Sequence, residues 1–250
     1  MDMTGNTILI TGGGSGIGRG LAESFHALGN QVLIAGRRES LLEETVAANP
    51  GMRHMTFDQS DAESIRSFTS RVSSEHPDLN VLINNAGIQR REDLTTGELS
   101  DAEETVMTNL LGPIRLTAAL LPSLLLQPRA VIINVSSALA FMPQTITPTY
   151  GATKAALHSY TQSLRSQLRH TKVQVLELIP PWVQTHLQGK HGNDPRAMPL
   201  SEFIAEAMQL LKSFPDATEI VVERAKPMRF AERTGVFDEF FKNFNESRTR

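Results

Sequence analysis

Thr11-Gly12-Gly13-Gly14-Ser15-Gly16-Ile17-Gly18 is the stretch on which the fold turns. An apolar run, Thr7–Thr11, leads into it, and an amphipathic stretch, Gly16–Leu28, leads out of it. Glycines permit positive φ and let the backbone come close to a ligand. The free N–H groups and the dipole at the start of the next helix favour a pyrophosphate there. The spacing, Gly12-x3-Gly16-x-Gly18, departs from GxGxxG. Its place between a first strand and a first helix therefore carries the dinucleotide reading, with a tight β–α connection as the plain alternative.

Outward from this turn, short apolar runs alternate with longer amphipathic ones. Strands are predicted over Thr7–Thr11, Gln31–Ala35, Arg53–Phe57, Asn80–Asn84, Ala130–Val135, Lys172–Ile179 and Glu219–Val222. Runs such as Val32-Leu33-Ile34 and Val81-Leu82-Ile83 are apolar on successive residues, as strands covered on both faces are. Helices are predicted over Gly16–Leu28, Glu39–Ala48, Ala62–Glu75, Asp101–Leu126, Tyr150–Arg169 and Ser201–Ser213. The alternation implies an α/β, Rossmann-type doubly wound parallel sheet of about seven strands flanked by helices. No repeat or linker divides the chain, so 1–250 reads as a single dinucleotide-binding and catalytic domain. The least regular segment, Thr185–Pro199, is expected to be a flexible substrate loop.

Composition narrows the function classes. With 24 basic and 27 acidic side chains the net charge is −3, which gives a polyanion no electrostatic hold, and no nucleic acid partner is expected. The absence of cysteine removes disulfides, thiolate metal sites and cysteine nucleophiles. The start, Met1-Asp2-Met3-Thr4-Gly5-Asn6, lacks a basic region before its first apolar run, so no targeting segment is expected. The most apolar stretch, Leu116–Val135, contains Pro122, Gln127, Pro128 and Arg129 and reads as two core elements rather than a membrane span. The expectation is a cytoplasmic protein. No HExxH or other close ligand pair of histidines occurs, His186 and His191 lie five apart in the loop, and no metal is expected. No Gly-x-Ser-x-Gly elbow stands ahead of an acid and a histidine, which sets serine hydrolysis aside.

The glycine turn resembles the cofactor loop of the classical short-chain dehydrogenases/reductases, and further signatures follow in that family's order from residue 7 to about 185. The resemblance implies that Gly12, Ser15, Gly16, Ile17 and Gly18 cradle the cofactor. The second strand ends Ala35-Gly36-Arg37-Arg38. An acid about 20 residues beyond the glycines holds the ribose hydroxyl of NAD, whereas arginine accommodates the 2′-phosphate of NADP. Gly36 stands where NAD-preferring relatives carry the acid, so Arg37, and less firmly Arg38, imply NADP(H). By the same resemblance Asp58 lies beside the adenine, and Asn84-Asn85-Ala86-Gly87 matches the NNAG signature, which assigns Asn85, Ala86 and Gly87 to the cofactor.

Tyr150 and Lys154 stand one helical turn apart, on one face. A free phenol is a poor acid or base near neutrality, and a nearby ammonium lowers its pKa toward the working range. The resemblance makes Tyr150 the proton donor to a carbonyl, with Ser137 hydrogen-bonding the same oxygen and Asn109 completing a tetrad through a water next to Lys154. Pro180-Pro181-Trp182-Val183-Gln184-Thr185 is similar to the family's nicotinamide loop, with Pro181 replacing a glycine, and assigns Pro180, Val183 and Thr185 to the cofactor. Pocket walls are expected from Leu139, Phe141, Met142, Gln89 and Trp182, and with Ser137 and Tyr150 they would face the substrate.

The C-terminal Val221-Val222-Glu223-Arg224-Ala225-Lys226 and Met228-Arg229-Phe230-Ala231-Glu232-Arg233 resemble the DltE-like branch. The implied activity is NADPH-dependent reduction of a ketone or aldehyde, or the reverse oxidation of a secondary alcohol. NAD-dependent alcohol oxidation and a non-catalytic NADP(H)-sensing role are the alternatives. A homodimer or homotetramer is implied.

Overall fold

The computed structural model describes residues 1–187 and 194–246. Its seven strands are β1 (Thr7–Thr11), β2 (Gln31–Gly36), β3 (Arg53–Thr56), β4 (Val81–Asn84), β5 (Ala130–Val135), β6 (Val173–Ile179) and β7 (Glu219–Val221). They form one sheet of order β3-β2-β1-β4-β5-β6-β7. Every pairing is parallel, with Ile10 opposite Ile34 on one side and Ile83 on the other. This is the doubly wound architecture that the alternation predicts.

Two-sided burial explains the unbroken apolar runs. Along β1, Ile8 and Ile10 enter one core and Leu9 the other, and all three are fully buried. The first core packs Phe25 of α1 (Gly16–Ala27), Leu42 of α2 (Glu39–Ala48) and Phe203 of α7 (Leu200–Ser213). The second packs Ile65 and Phe68 of α3 (Ala62–Glu75), Leu116 and Leu120 of α5 (Gly112–Leu126) and Leu164 of α6 (Pro148–Leu168). Burying each such side chain stabilises the fold by about 1.5–3 kcal/mol, and a one-residue slip of register would reverse every assignment.

Two differences from the sequence reading have local causes. The single helix expected over Asp101–Leu126 is α4 (Ser100–Val106), a π-helical turn (Met107–Leu111) and α5 in one continuous run. Pro122 does not break α5, because Pro122 and Ala118, whose carbonyl loses its usual donor, both face solvent. Ser100–Leu126 is long and apolar enough to cross a membrane, but Leu116, Leu120 and Leu124 are fully buried in the second core. The chain also ends in helices the reading did not expect, α8 (Lys226–Arg229) and α9 (Phe237–Glu246). Phe237, Phe240, Phe241 and Phe244 carry the i, i+3, i+4, i+7 spacing that signals α9.

Candidate active site

The chain reverses its winding between β1 and β4, the neighbours that separate the two halves of the sheet. Ligands of open α/β sheets bind beyond the carboxyl ends of the strands at such a point. A cleft of about 410 Å³ opens there, lined by the turns that follow β1, β2, β4, β5 and β6. Gly12 takes φ +70°, and a Cβ on it would lie 2.9 Å from the Asn85 side chain. Gly18 has still less room, since its Cβ would stand 2.4 Å from the Gly12 carbonyl oxygen. The turn therefore folds tightly over the start of α1, whose first turn carries no acidic residue. Thr11 fixes the opposite wall, its hydroxyl accepting from the backbone N–H groups of Asn85 and Ala86, both at 3.0 Å.

Ser137 closes β5 as the N-cap of the short 3₁₀ turn Ala138–Ala140, its hydroxyl oxygen accepting from the Leu139 N–H at 3.1 Å. It also hydrogen-bonds the Tyr150 hydroxyl. Ser136 also lines the cleft, its hydroxyl buried without a hydrogen-bond partner. Lys154 donates from Nζ to the Val135 carbonyl at 2.8 Å and lies 5.7 Å from the centre of the Tyr150 ring. Both side chains are almost fully buried. Burial pushes the Tyr150 phenol up to about 12, opposed by the Ser137 hydrogen bond. Burial likewise draws Lys154 down to about 8, opposed by the charge of Glu177. The sequence led us to expect the lysine to draw the phenol down, but here desolvation of the phenol dominates.

Asn109 sits in the π turn, buried. Its Oδ1 accepts from the Ile88 N–H and its Nδ2 donates to the Ile88 carbonyl, both at 2.8 Å. It thereby serves the segment after β4 as a strand neighbour would. Gly87 passes close by, for a Cβ there would lie 3.1 Å from Asn109 Oδ1 and 3.8 Å from Lys154 Nζ. The π turn also presents the Thr108 carbonyl to Gln59, whose amide donates at 2.8 Å, and Gln59 lines the cleft.

At the far end of the cleft, Arg38 donates to the Ser15 hydroxyl at 2.9 Å. Arg37 reaches Glu104 at 3.4 Å and Asp58 at 3.9 Å. Gly36 leaves open space, a Cβ there meeting nothing nearer than 3.9 Å. Thr185 lies across the glycine turn, with its side chain 3.3 Å from where a Gly16 Cβ would be. Ile17, Pro180 and Val183 also line the cleft, and Val183 bridges Met198. Of the loop predicted over 185–199, residues 188–193 lie outside the described residues, and His191 with them.

Leu139, Gln89 and Trp182 line the cleft near Tyr150. Two expected wall residues do not. Phe141 stands edge-on to His158 at 4.7 Å and under the Arg229 guanidinium at 4.2 Å, while Met142 is wholly buried. The 3₁₀ turn after Ser137 rotates both away from the cleft. Met228 and Phe244, which the sequence reading passed over, take their place. Asn245 secures α9 by accepting from the Thr145 N–H at 2.8 Å and donating to the Pro143 carbonyl at 3.1 Å.

A family model described as short chain dehydrogenase matches residues 6–196. The Bacillus subtilis (strain 168) protein named uncharacterized oxidoreductase DltE is 40% identical over 251 residues, spanning 98% of each chain. Dehydrogenase/reductase SDR family member 7B of Xenopus tropicalis is 31% identical over 190 residues, 72% of this chain and 62% of that protein. A short chain dehydrogenase/reductase from Burkholderia phymatum in complex with NAD superposes with a TM-score of 0.81 at 20% identity, over 98% of this chain and 97% of that one. A short-chain dehydrogenase from Sphingobium yanoikuyae in complex with NADPH gives 0.81 at 24% identity, over 98% and 96%. At these identities the two structures bear on the fold alone. On its sequence match, this chain belongs to the short chain dehydrogenase family of oxidoreductases.

Proposed function

We propose that this oxidoreductase is an NADPH-dependent carbonyl reductase acting on a small to medium, largely apolar ketone or aldehyde. The observation that carries the reading is the contact of Tyr150 with Ser137, beside a buried Lys154, in the same cleft as the glycine cradle. The cradle suits a dinucleotide: its glycines leave no room for side chains, and the start of α1 meets a diphosphate without a competing carboxylate. Gly12, Ser15, Gly16, Ile17 and Gly18 would hold the diphosphate, Asp58 the adenine side, and Asn85, Ala86, Gly87, Pro180, Val183 and Thr185 the nicotinamide half. When bound, the reduced nicotinamide supplies the hydride.

The remaining chemistry falls to the chain. Ser137 accepts from Leu139, which fixes its oxygen, so its own proton faces Tyr150 and a carbonyl oxygen placed between them. Tyr150, kept protonated by burial, gives its proton to that oxygen as the alkoxide develops. Lys154, held by the Val135 carbonyl, places a positive charge beside the phenol and stabilises the phenolate left behind. Asn109 keeps Ile88 and the end of β4 in position around them. Leu139, Trp182, Met228 and Phe244 exclude water and select apolar substituents.

The test is the rate of NADPH oxidation over aryl ketones, aliphatic ketones, keto esters and aldehydes, with NADH in parallel. Turnover that prefers NADPH is expected; NADPH binding without oxidation by any of these carbonyls would overturn the reading. The preference has its own test in the two arginines. A hydrogen bond to a charged group contributes about 1.5–3 kcal/mol, roughly tenfold to a hundredfold in binding. Arg37→Ala and Arg38→Ala are each expected to narrow the NADPH-over-NADH ratio of kcat/KM by about that factor. A ratio unchanged in both variants would place the 2′-phosphate elsewhere.

A further inference from the structure

Glu177 lies in β6, fully buried, between apolar neighbours on either side, Val175-Leu176 and Leu178-Ile179. A carboxylate in such a place is costly unless an opposite charge or hydrogen bonds hold it. Its Oε2 meets His158 Nδ1 at 2.7 Å, while its Oε1 has no hydrogen-bond partner. His158 stands one turn beyond Lys154 on α6, so the two side chains reach the same patch of sheet. There Asn134 is the register partner of Glu177, and the next residue, Val135, offers the carbonyl that holds Lys154 Nζ. The buried ammonium and the buried carboxylate are therefore neighbours across β5 and β6.

We propose that Glu177 is a positioning residue for Lys154: oriented by His158, it supplies the buried counter-charge that keeps the lysine an ammonium at the Val135 carbonyl, behind Tyr150. The inference rests on the carbonyl-reductase reading only for what Lys154 does in turnover.

The other charges around Glu177 leave it free for this role. Glu219 of β7 is engaged by Arg229 of α8 through two contacts of 2.9 Å. Burial alone would raise the Glu219 carboxyl, but Arg229, with smaller contributions from His158 and Arg165, holds the group below its usual range. Arg165 of α6 donates to the carbonyls of Val175 and Thr218, both at 2.9 Å. Although His158, Glu177 and Glu219 bring three ligand atoms within 4.8 Å of one another, the Arg229 clasp makes the group an ion-pair array. The outer nitrogen of His158 meets the Gln162 amide at 2.9 Å, and Phe141 covers the ring edge-on. Of the opposing effects on Lys154, burial lowers its proton affinity and Glu177 restores part of it.

The chain has six lysines, so the ammonium of Lys154 can be followed directly by NMR of ¹⁵Nζ-labelled lysine, with Lys154→Arg assigning its signal. The unliganded wild-type protein should show Lys154 titrating near 8. In Glu177→Gln the midpoint should fall by about one pH unit or more, with the other lysines unmoved. Glu177→Asp, which keeps the charge, should stay nearer the wild type than Gln does. The high-pH fall of carbonyl reduction should move to acid by the same interval, with KM for NADPH unchanged. Glu177→Met gives the same reading should the amide variant fail to fold. A folded Gln or Met variant whose Lys154 midpoint stays at the wild-type value would overturn the proposal. The titration needs no substrate, so a shifted lysine in a protein that reduces no carbonyl would sustain this inference and sink the functional reading alone.

Discussion

Tyr150→Phe is expected to bind NADPH with wild-type affinity and to lose carbonyl reduction by about a thousandfold. The ring is almost entirely buried, so phenylalanine fills the same space and only the hydroxyl oxygen is removed. With it go the proton that the carbonyl oxygen must receive and the contact with Ser137. Positioned general acids contribute roughly a hundredfold to ten-thousandfold, and no other acid lies as close to Ser137 among the contacts described. Cofactor affinity, read from the quenching or enhancement of NADPH fluorescence, separates loss of chemistry from loss of the site. Turnover within about tenfold of wild type would remove Tyr150 as the acid.

Gly18→Ala should act at the other end of the cleft, on binding rather than chemistry. Its Cβ would stand 2.4 Å from the Gly12 carbonyl oxygen and 2.5 Å from Asn85 Nδ2. Backbone lies on one side and a side chain fixed to the Thr11 carbonyl on the other, so the turn itself must open. Overpacking of this kind costs about 1–3 kcal/mol, which lowers the melting temperature of a chain this long by several degrees. Displacing two or more N–H groups aimed at phosphate weakens NADPH by about a hundredfold or more. Gly36→Ala is the control for folding, because its Cβ meets no protein atom nearer than 3.9 Å and should change the melting temperature little. A Gly18→Ala variant that binds NADPH as tightly as the wild type would mean that the turn is only a β–α connection.

Most of what places this cleft is local and therefore legible in the chain. The glycine turn, the runs apolar on successive residues and the strand–helix alternation each reflect a constraint within a few residues: positive φ, two-sided burial, a right-handed crossover. Family order added Ser137, Tyr150 and Lys154, and the fold brings the first two into contact. Some strand ends shifted by one residue, as at β6, which begins at Val173 rather than Lys172. The helix α9 was readable from its phenylalanine spacing. The π turn at Met107–Leu111 was not, because one extra residue in a helix leaves no clear trace in the apolar pattern.

The sequence by itself determined the parallel, doubly wound class of the sheet, the glycine turn after its first strand and the residue types available for proton transfer. Tertiary structure alone decided which of those groups carry charge and which face the cleft. Phe141 and Met142 follow Ser137 in sequence yet leave the cleft, and Phe244, about a hundred residues later, enters it through the Asn245 clasp on Pro143. Glu177 looks like a flaw in an apolar strand until Lys154 and His158 are packed over it. The physical reason is the range of the forces. Backbone dihedrals and side-chain periodicity are set by near neighbours in the chain, whereas desolvation and buried charge depend on whichever groups the fold brings within a few ångströms.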